Sequence, residues 1–320
     1  MLEWRAHEEA AEIVLSHRSS GEAQLLFGAF LISFSPVFVN VAGVGPTVAG
    51  FYRCLFGGAI LLVLIAIRGE PLWIGRGPFL LALAAASLFA TDLTFWHRSI
   101  LYIGPGLATI MANFEVFFLA AFGVLVYRER VDWKFVVSIP LAVGGLFVLV
   151  GVDWNAPGSD YRRGVYFGLI AAMAYSFFML VLQRSQSRPS RLTPASNLAV
   201  VSLAVAAIMG VEARLQGEAF RIPDLASWAA MLAYGVLCQA VGWIAISRGL
   251  ARVEASRAGL IMLLQPTLAF VWDWLLFDRP TDAADAGGAL LTLGAIYLGG
   301  RRPGVDRTAA AASNPARREP

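Results

Sequence analysis

Charged residues, lysine and cysteine are all scarce in this sequence of 320 residues. Asp, Glu, Lys and Arg make up 15% of it and hydrophobic residues 58%, whereas soluble domains average about 25% charged. Lys134 is the only lysine. The two cysteines, Cys54 and Cys238, lie within apolar stretches and provide neither a disulfide framework nor a metal site. This composition predicts a protein that crosses a membrane several times.

The sequence also lacks the common catalytic motifs. It contains no Walker A lysine loop, no HExxH pair and no GxSxG motif with triad partners. Its three histidines are His7, His17 and His97. We therefore expect no enzyme activity, no cofactor and no metal centre. The formal charge of +3 resides mostly in loops and the C-terminal tail, so it does not indicate a nucleic-acid partner.

Ten apolar segments are long enough, or nearly long enough, to cross a bilayer, which takes about 20 residues. The predicted fold class is therefore an all-α polytopic membrane protein with ten transmembrane helices. The last segment, of about 16 residues, leaves little room for tilt. The predicted spans are 23–41, 46–67, 78–97, 105–126, 133–151, 164–183, 195–213, 227–246, 256–276 and 285–300.

The distribution of basic residues predicts the orientation, because cytoplasmic loops are enriched in Lys and Arg. With the N-terminus inside, 18 basic residues are cytoplasmic and six are external, and Arg53 is left within a span. The segment 1–22 lacks the apolar core of a signal peptide, so we interpret it as a cytoplasmic extension. The Arg- and Ala-rich segment 301–320 is predicted to be a disordered cytoplasmic tail.

The two halves of the sequence resemble each other weakly. A shift of 150 residues places Ala108 on Ala258, Glu115 on Gln265 and Asp132 on Asp282. Each half then holds five spans, an odd number, so the halves have opposite orientations. Residues 23–151 and 164–300 are thus predicted to be inverted repeats, a transporter design with its binding site near the midplane.

Several motifs, in their order and spacing, resemble those of a known family. They are SFSPVFV in segment 1, FYRCLFGGAILL in segment 2, ATIMANFEVFF ending in YRER in segment 4, and LIMLLQPTLAF in segment 9. Residues 23–300 resemble an EamA-type transporter of the drug/metabolite transporter superfamily. The resemblance implies five plus five helices around a central cavity, and export of amino acids, drugs or other small metabolites. Two departures from the family pattern are Val116, in place of a proline, and Asp278-Arg279, in place of Gly-Glu.

Glu115 is the first candidate site residue, because it is a carboxylate near the middle of segment 4. A charge at that depth costs about 2.5–3.5 kcal/mol on insertion scales, so Glu115 must face protein or water. Desolvation disfavours the charged form of a carboxyl, which makes Glu115 a candidate for proton coupling. It could instead bind a cationic substrate group, or be a structural carboxylate bonded to a neighbouring helix.

Arg53 in segment 2 and Asp92 in segment 3 form a second candidate pair. Opposite charges lower the cost of burying each ion, so a structural contact between these helices is one interpretation. Arg53 could instead hold a substrate carboxylate through two parallel hydrogen bonds, or extend to the outer interface.

Other polar and aromatic residues of the spans complete the candidate set. Trp96 and His97 follow Asp92 closely, and each could line the cavity or lie at the interface. Three others are uncharged side chains that either line the cavity or bridge helices, namely Gln239, Trp243 and Gln265. One further candidate is a carboxylate, Asp273. Pro36 and Pro266 lie inside helices 1 and 9, where each removes a backbone hydrogen bond and favours a kink.

Taken together, these features predict a secondary active transporter that exports small metabolites, such as amino acids or related compounds, with proton coupling through Glu115. A membrane-embedded sensor or scaffold with the same fold and no transport is the alternative. The expected partners are a small-molecule substrate and the lipid bilayer, and the sequence is compatible with a homodimer. The expected location is the plasma membrane, with both termini cytoplasmic.

The predicted topology can be tested at Gly158 and Arg302. We expect Gly158→Cys and Arg302→Cys to react with an impermeant thiol reagent from opposite sides of the membrane, because five spans separate these positions. Labelling of both from the same side would contradict the ten-span topology and the inverted repeat with it.

Overall fold

The computed structural model describes residues 19–71, 75–129, 131–150, 159–186, 193–277 and 282–300. The predicted tail, most of the predicted N-terminal extension and the pair Asp278-Arg279 lie outside these ranges. Within them, all regular secondary structure is helical. The protein is an all-α polytopic membrane protein of about ten helices, as the sequence predicts.

Among the described residues, eight helices are long and apolar enough to cross a membrane, and two further apolar helices are shorter. Their bounds agree closely with the predicted spans. The largest difference concerns the third helix, which continues seven residues past the predicted end to Gly104, where a φ of 76° ends it. The helices are α1 Ser19–Ala42, α2 Pro46–Ile67, α3 Arg76–Gly104, α4 Ala108–Leu125, α5 Trp133–Val150, α6 Ser159–Gln186, α7 Pro194–Leu215, α8 Leu225–Leu250, α9 Ala255–Phe277 and α10 Ala283–Gly300.

Local signals explain where several helices begin. A proline lies in the first turn of α2 and of α7, where its missing N–H would have no helical partner. Thr193 caps α7 by accepting from the Ser196 N–H at 3.1 Å. Asp224 caps α8 by accepting from the Ser227 N–H at 2.8 Å, and this hydrogen bond holds the pKa of Asp224 below its ordinary value.

Four helices are irregular near their middles. α1 is interrupted at Ser33 and Phe34, α4 at Asn113 and Phe114, and α9 at Leu263. α8 contains a π-helical segment, Tyr234–Gly242. The interruptions of α4 and α9 are about 150 residues apart, in the register that relates the two sequence halves.

The helices pack in pairs that join one half of the chain to the other. α2 lies along α7, α5 along α10, and α4 contacts α9, while α3 packs on α6 and α7. We call one side of the molecule the near side; there, across helix ends, Thr193 bonds to Glu70, Arg252 to Ser20 and Glu129 to Ala255. The opposite side, where Glu218 meets Val48, is the far side.

Glycines allow the closest of these contacts. A Cβ on Gly145 of α5 would lie 2.7 Å from the Gly288 carbonyl oxygen and 2.8 Å from the Thr292 nitrogen of α10. Both neighbours are backbone atoms, so a side chain at position 145 would push the two helices apart. The adjacent Gly144 has no heavy atom within 4 Å of such a Cβ, so the contact depends on one of two neighbouring glycines.

This difference predicts the effect of alanine at the two positions. We expect Gly145→Ala to destabilise the protein by about 1–3 kcal/mol, the usual cost of overpacking, and so to lower its melting temperature in detergent. Gly144→Ala is the matched control and should leave that temperature unchanged or raise it, because alanine is the better helix former. Equal melting temperatures for the two variants would contradict the packing of α5 against α10.

Candidate functional site

Arg53 is a buried cation at the centre of the helix bundle. The residue is 6% exposed. Its Nε donates to the Gln239 side-chain oxygen at 2.7 Å, and its Nη1 donates to the Tyr234 hydroxyl at 3.2 Å. Its guanidinium carbon also lies 5.0 Å from the centroid of the Tyr234 ring and 5.7 Å from that of Phe89, where a cation is attracted to the aromatic face.

The π-helical segment of α8 explains how two residues of one helix reach the same guanidinium. Its i→i+5 hydrogen bonds bring residues five apart close together, and Tyr234 and Gln239 are five apart. The Gln239 amide nitrogen in turn donates to the Ser202 hydroxyl of α7 at 2.9 Å, which turns the amide oxygen towards Arg53. A Cβ on Gly57 would lie 2.5 Å from the Gln239 side chain, so only glycine at that position allows α2 to approach.

Two carboxylates lie in the same region. Asp92 on α3 is 8% exposed and Glu115 on α4 is 7% exposed. Asp92 is close enough to interact electrostatically with both Arg53 and Glu115, and Tyr175 of α6 interacts with all three. The site therefore combines one cation with two acids, contributed by three helices of the first half.

The expected direct contact between Arg53 and Asp92 is not formed. Within the described ranges, no ion pair of 4.0 Å or less joins Arg53 to Asp92 or Glu115. Gln239 and Tyr234 accept hydrogen bonds from two nitrogens of the guanidinium, Nε and Nη1, instead. Among the described residues, neither carboxylate side chain has a hydrogen-bond partner, which leaves both acids available to a ligand or a proton.

The interruption of α4 places Glu115 at the start of a helical segment. The segment Glu115–Leu125 begins directly after Asn113 and Phe114. Ser176 of α6 donates to the backbone carbonyl of Glu115 at 3.2 Å, and the Asn113 amide donates to the Thr109 carbonyl at 2.7 Å. The Thr109 carbonyl also accepts from the Asn113 N–H at 3.0 Å, so these side chains add hydrogen bonds around the break to those that the backbone makes itself.

A group of four aromatic residues packs beside Arg53. Phe89 stacks on Phe178 with ring centroids 4.7 Å apart, and Trp243 meets both rings edge-on. Tyr175 completes the group. Trp243 is 1% exposed, so this predicted cavity residue is a packed wall of the site rather than an open contact surface.

Other predicted residues lie away from this centre. Trp96 and His97 are half-buried and their rings contact each other at 5.3 Å, but in the described structure no hydrogen bond, ion pair or ring contact joins either to Arg53. Gln265, Pro266 and Asp273 are half-buried on α9.

The predicted kink prolines both follow interruptions. Pro36 lies two residues after Phe34 in α1, and Pro266 lies three residues after Leu263 in α9. Trp272 of α9 spans the break in α1: its ring nitrogen donates to the Ser33 hydroxyl at 2.8 Å, and its ring stacks on Phe34 at 4.4 Å. Searching the described residues reveals no group of three or more His, Cys, Asp or Glu side chains placed to bind a metal ion.

Sequence reasoning missed Tyr234 and Ser202. Both are uncharged residues in apolar helices, and at α-helical spacing Tyr234 and Gln239 point in different directions. The signal that could have found them is the buried charge itself: a guanidinium with five donors needs several acceptors, and few residues of the spans can supply one.

The network around Arg53 predicts thermodynamic coupling between Arg53 and Gln239. Removal of either partner leaves a buried polar group unpaired, which costs about 1–3 kcal/mol. We expect Arg53→Met and Gln239→Leu each to lower the melting temperature. The decrease in the double variant should be smaller than the sum of the two single decreases. Arg53→Met combined with Thr292→Val, a distant change in α10, is the additive control. Additivity in both pairs would contradict the network.

Comparisons with known proteins place this chain in a family. The profile of the EamA-like transporter family matches residues 19–151 and 162–300. The chain is 23% identical to the pseudopaline exporter CntI of Pseudomonas aeruginosa, covering 91% of this chain and all of the relative. It is 27% identical to the inner membrane transporter YhbE of Escherichia coli, over 79% of this chain and 81% of the relative.

A solved crystal structure supports the same fold. It superposes with a TM-score of 0.77 at 18% identity and covers 88% of this chain and 99% of the other. The family and the names of these relatives indicate a transporter rather than an enzyme. The chain belongs to the EamA-like transporter family.

Proposed function

We propose that this protein is a secondary active transporter that exports amino acids or related small metabolites from the cytoplasm, with protons moving in the opposite direction. The observation that carries this proposal is the juxtaposition of one buried cation, Arg53, and two buried acids, Asp92 and Glu115, where α4 and α8 are irregular. Intramembrane charges are rare and mark substrate and ion pathways.

The charges of the site fit a zwitterionic substrate. Gln239 and Tyr234 occupy Nε and Nη1 of Arg53, and the remaining Nη2 is a donor suited to a carboxylate. Asp92 and Glu115 carry the opposite charge when ionised and would attract an ammonium group. The aromatic wall of Phe89 and Tyr175 lies beside these charges.

Proton coupling follows from competition for the same carboxylates. A proton and a substrate ammonium cannot neutralise Glu115 at the same time. Release of the substrate to the outside would leave Glu115 exposed to protonation there, and release of the proton to the cytoplasm would restore the acid for the next substrate. Each conformational change would then carry a neutralised carboxylate through the low-dielectric interior, which reduces the cost of the movement.

Orientation and location are part of the proposal. The excess of Arg on one side of the predicted spans supports cytoplasmic termini, which makes the near side cytoplasmic. The inner-membrane relative YhbE supports the plasma membrane, and the exporter CntI supports the outward direction.

Counterflow in liposomes tests transport directly. Purified protein in liposomes loaded with one unlabelled solute should accumulate the labelled form of the same solute. We would compare leucine, leucinamide and isocaproate, which offer both charges, only the ammonium, or only the carboxylate on one apolar side chain. Transport of leucine alone would support a zwitterion site. A sensor or scaffold would bind a solute without flux, so the absence of counterflow across a broader amino-acid panel would favour that alternative.

The role of Glu115 can be tested with Glu115→Gln, which keeps the shape of the side chain but cannot ionise. We expect this variant to fold and to exchange substrate at equal pH on both sides, but to lose accumulation driven by a pH gradient. Glu22→Gln, near the start of α1, is the matched control and should retain both activities. If Glu115→Gln still transports uphill like the parent, the carboxylate is structural and Asp92 becomes the next candidate.

A further inference from the structure

Glu129 joins two helices at the near side of the molecule. It follows the end of α4, and its carboxylate oxygens accept from the backbone N–H groups of Ala255 at 2.9 Å and Ser256 at 3.2 Å. These are the first two residues of α9. The contact thus links a helix of the first half of the chain to a helix of the second half.

The chain is bent sharply to make this contact. Arg128, directly before Glu129, has a φ of 55°, a left-handed conformation that is uncommon for residues other than glycine. The Glu129 N–H donates to the Gly123 carbonyl at 2.9 Å, which folds the turn back onto α4. Such backbone strain persists where the surrounding structure requires it.

α9 depends on this carboxylate for its N-terminal cap. The first N–H groups of a helix have no partner within the helix, and an anion there also interacts favourably with the helix dipole. Glu254 occupies the N-cap position but makes no side-chain cap hydrogen bond. The cap is therefore supplied by another helix.

A second contact holds the adjoining loop between α8 and α9. The Gln183 amide nitrogen of α6 donates to the carbonyls of Leu250 at 2.9 Å and Val253 at 2.8 Å. Behind these contacts, residues of α4, α6, α8 and α9 pack closely together, among them the buried Leu119, Met179 and Ala258. The loop and the start of α9 together close this end of the bundle.

Other carboxylates fasten a different helix pair. Glu70, after α2, accepts from the Thr193 hydroxyl at the start of α7 at 2.6 Å. Glu218, after α7, accepts from the Val48 N–H at the start of α2 at 3.0 Å. The pair α2–α7 is thus fastened at both sides of the membrane, whereas Glu129 fastens α4 to α9 at the near side.

We propose that Glu129 is a releasable latch that keeps the near side closed by capping α9, and that its release opens a path from that side towards Arg53. The function of the latch rests on the proposed transport, in which the near side is cytoplasmic. The interruptions of α4 at Asn113 and of α9 at Leu263 lie between the latch and the far side. The near-side halves of the two helices can therefore separate while α2 and α7 stay joined.

Thiol labelling of Ala258→Cys tests the latch without a substrate. Ala258 lies behind the latch, near the start of α9, and is fully buried. An impermeant maleimide would be applied from the cytoplasmic side in inverted membrane vesicles. The chain without the Ala258→Cys change supplies the background, since its own two cysteines are buried. The chain with Ala258→Cys alone is the parent, and every further variant carries this change as well.

Loss of the latch should speed this labelling. A hydrogen bond to a charged group changes an equilibrium by about tenfold or more, so we expect Glu129→Ala to label at least about ten times faster than the parent. Glu129→Gln keeps one acceptor oxygen and should give a smaller increase. Glu218→Ala, which removes a carboxylate cap at the far side, is the matched control and should leave the rate within about twofold.

Each outcome decides between the alternatives. An unchanged rate in Glu129→Ala, or an equal increase in Glu218→Ala, would overturn the latch. If Glu129→Ala does not fold, a rate in Glu129→Gln equal to that of the parent would overturn it as well. Faster labelling in a protein without counterflow would leave the latch in place and reject transport, while counterflow with unchanged labelling would reject the latch alone.

Discussion

The centre of this protein depends on the hydrogen bonds that the buried guanidinium of Arg53 makes. A permanent charge within a membrane span is stable only where protein groups replace the water it has lost. Here Gln239 and Tyr234 accept its hydrogen bonds, and Ser202 orients Gln239. The need to replace this water brings three helices together. α2 carries the charge, α8 supplies the two acceptors, and α7 supplies the hydroxyl that holds one acceptor in place.

Glycine makes this arrangement sterically possible. α2 and α8 approach so closely at Gly57 and Gly235 that a Cβ on either would lie within 3.0 Å of the other helix. Without water to drive apolar surfaces together, helices in membranes associate through close packing and hydrogen bonds. The glycines and the Arg53 network therefore stabilise the same interface, and a change in one should weaken the other.

The fold could be predicted well because its signal lies in long apolar runs. The ten spans and most of their ends follow from apolar length and flanking polar residues; the main differences are that α3 ends seven residues later than predicted and α6 begins five residues earlier. The error at Gly104 has a simple cause: the last two turns of α3 contain Arg98 and His97, which resemble the end of a span in sequence but extend the helix in the structure.

The site was harder to predict, because charge alone does not determine contact. Arg53 and Asp92 are opposite charges in adjacent spans, yet the rotation of each helix directs the guanidinium to the uncharged Gln239. The π-helical segment that aligns Tyr234 with Gln239 has no strong sequence signal. The cap of α9 by Glu129 is equally invisible in sequence, because 126 residues separate the donor from the acceptor.

The distribution of helix-end contacts indicates which parts of the bundle move together. α2 and α7 are fastened by Glu70 at one side and by Glu218 at the other. Between these points, Gln239 of α8 bonds to Arg53 of α2 and to Ser202 of α7. Because α2 and α7 are joined at both ends and near the middle, we expect these two helices to move as a unit. α4 and α9 are each interrupted near the middle, so each can bend there without breaking a continuous ladder of helical hydrogen bonds. Glu115 and Gln265 occupy corresponding positions just after these interruptions. Any bend of α4 therefore changes the surroundings of Glu115, the one acid within α4, so that movement and protonation can affect each other in the proposed transport cycle.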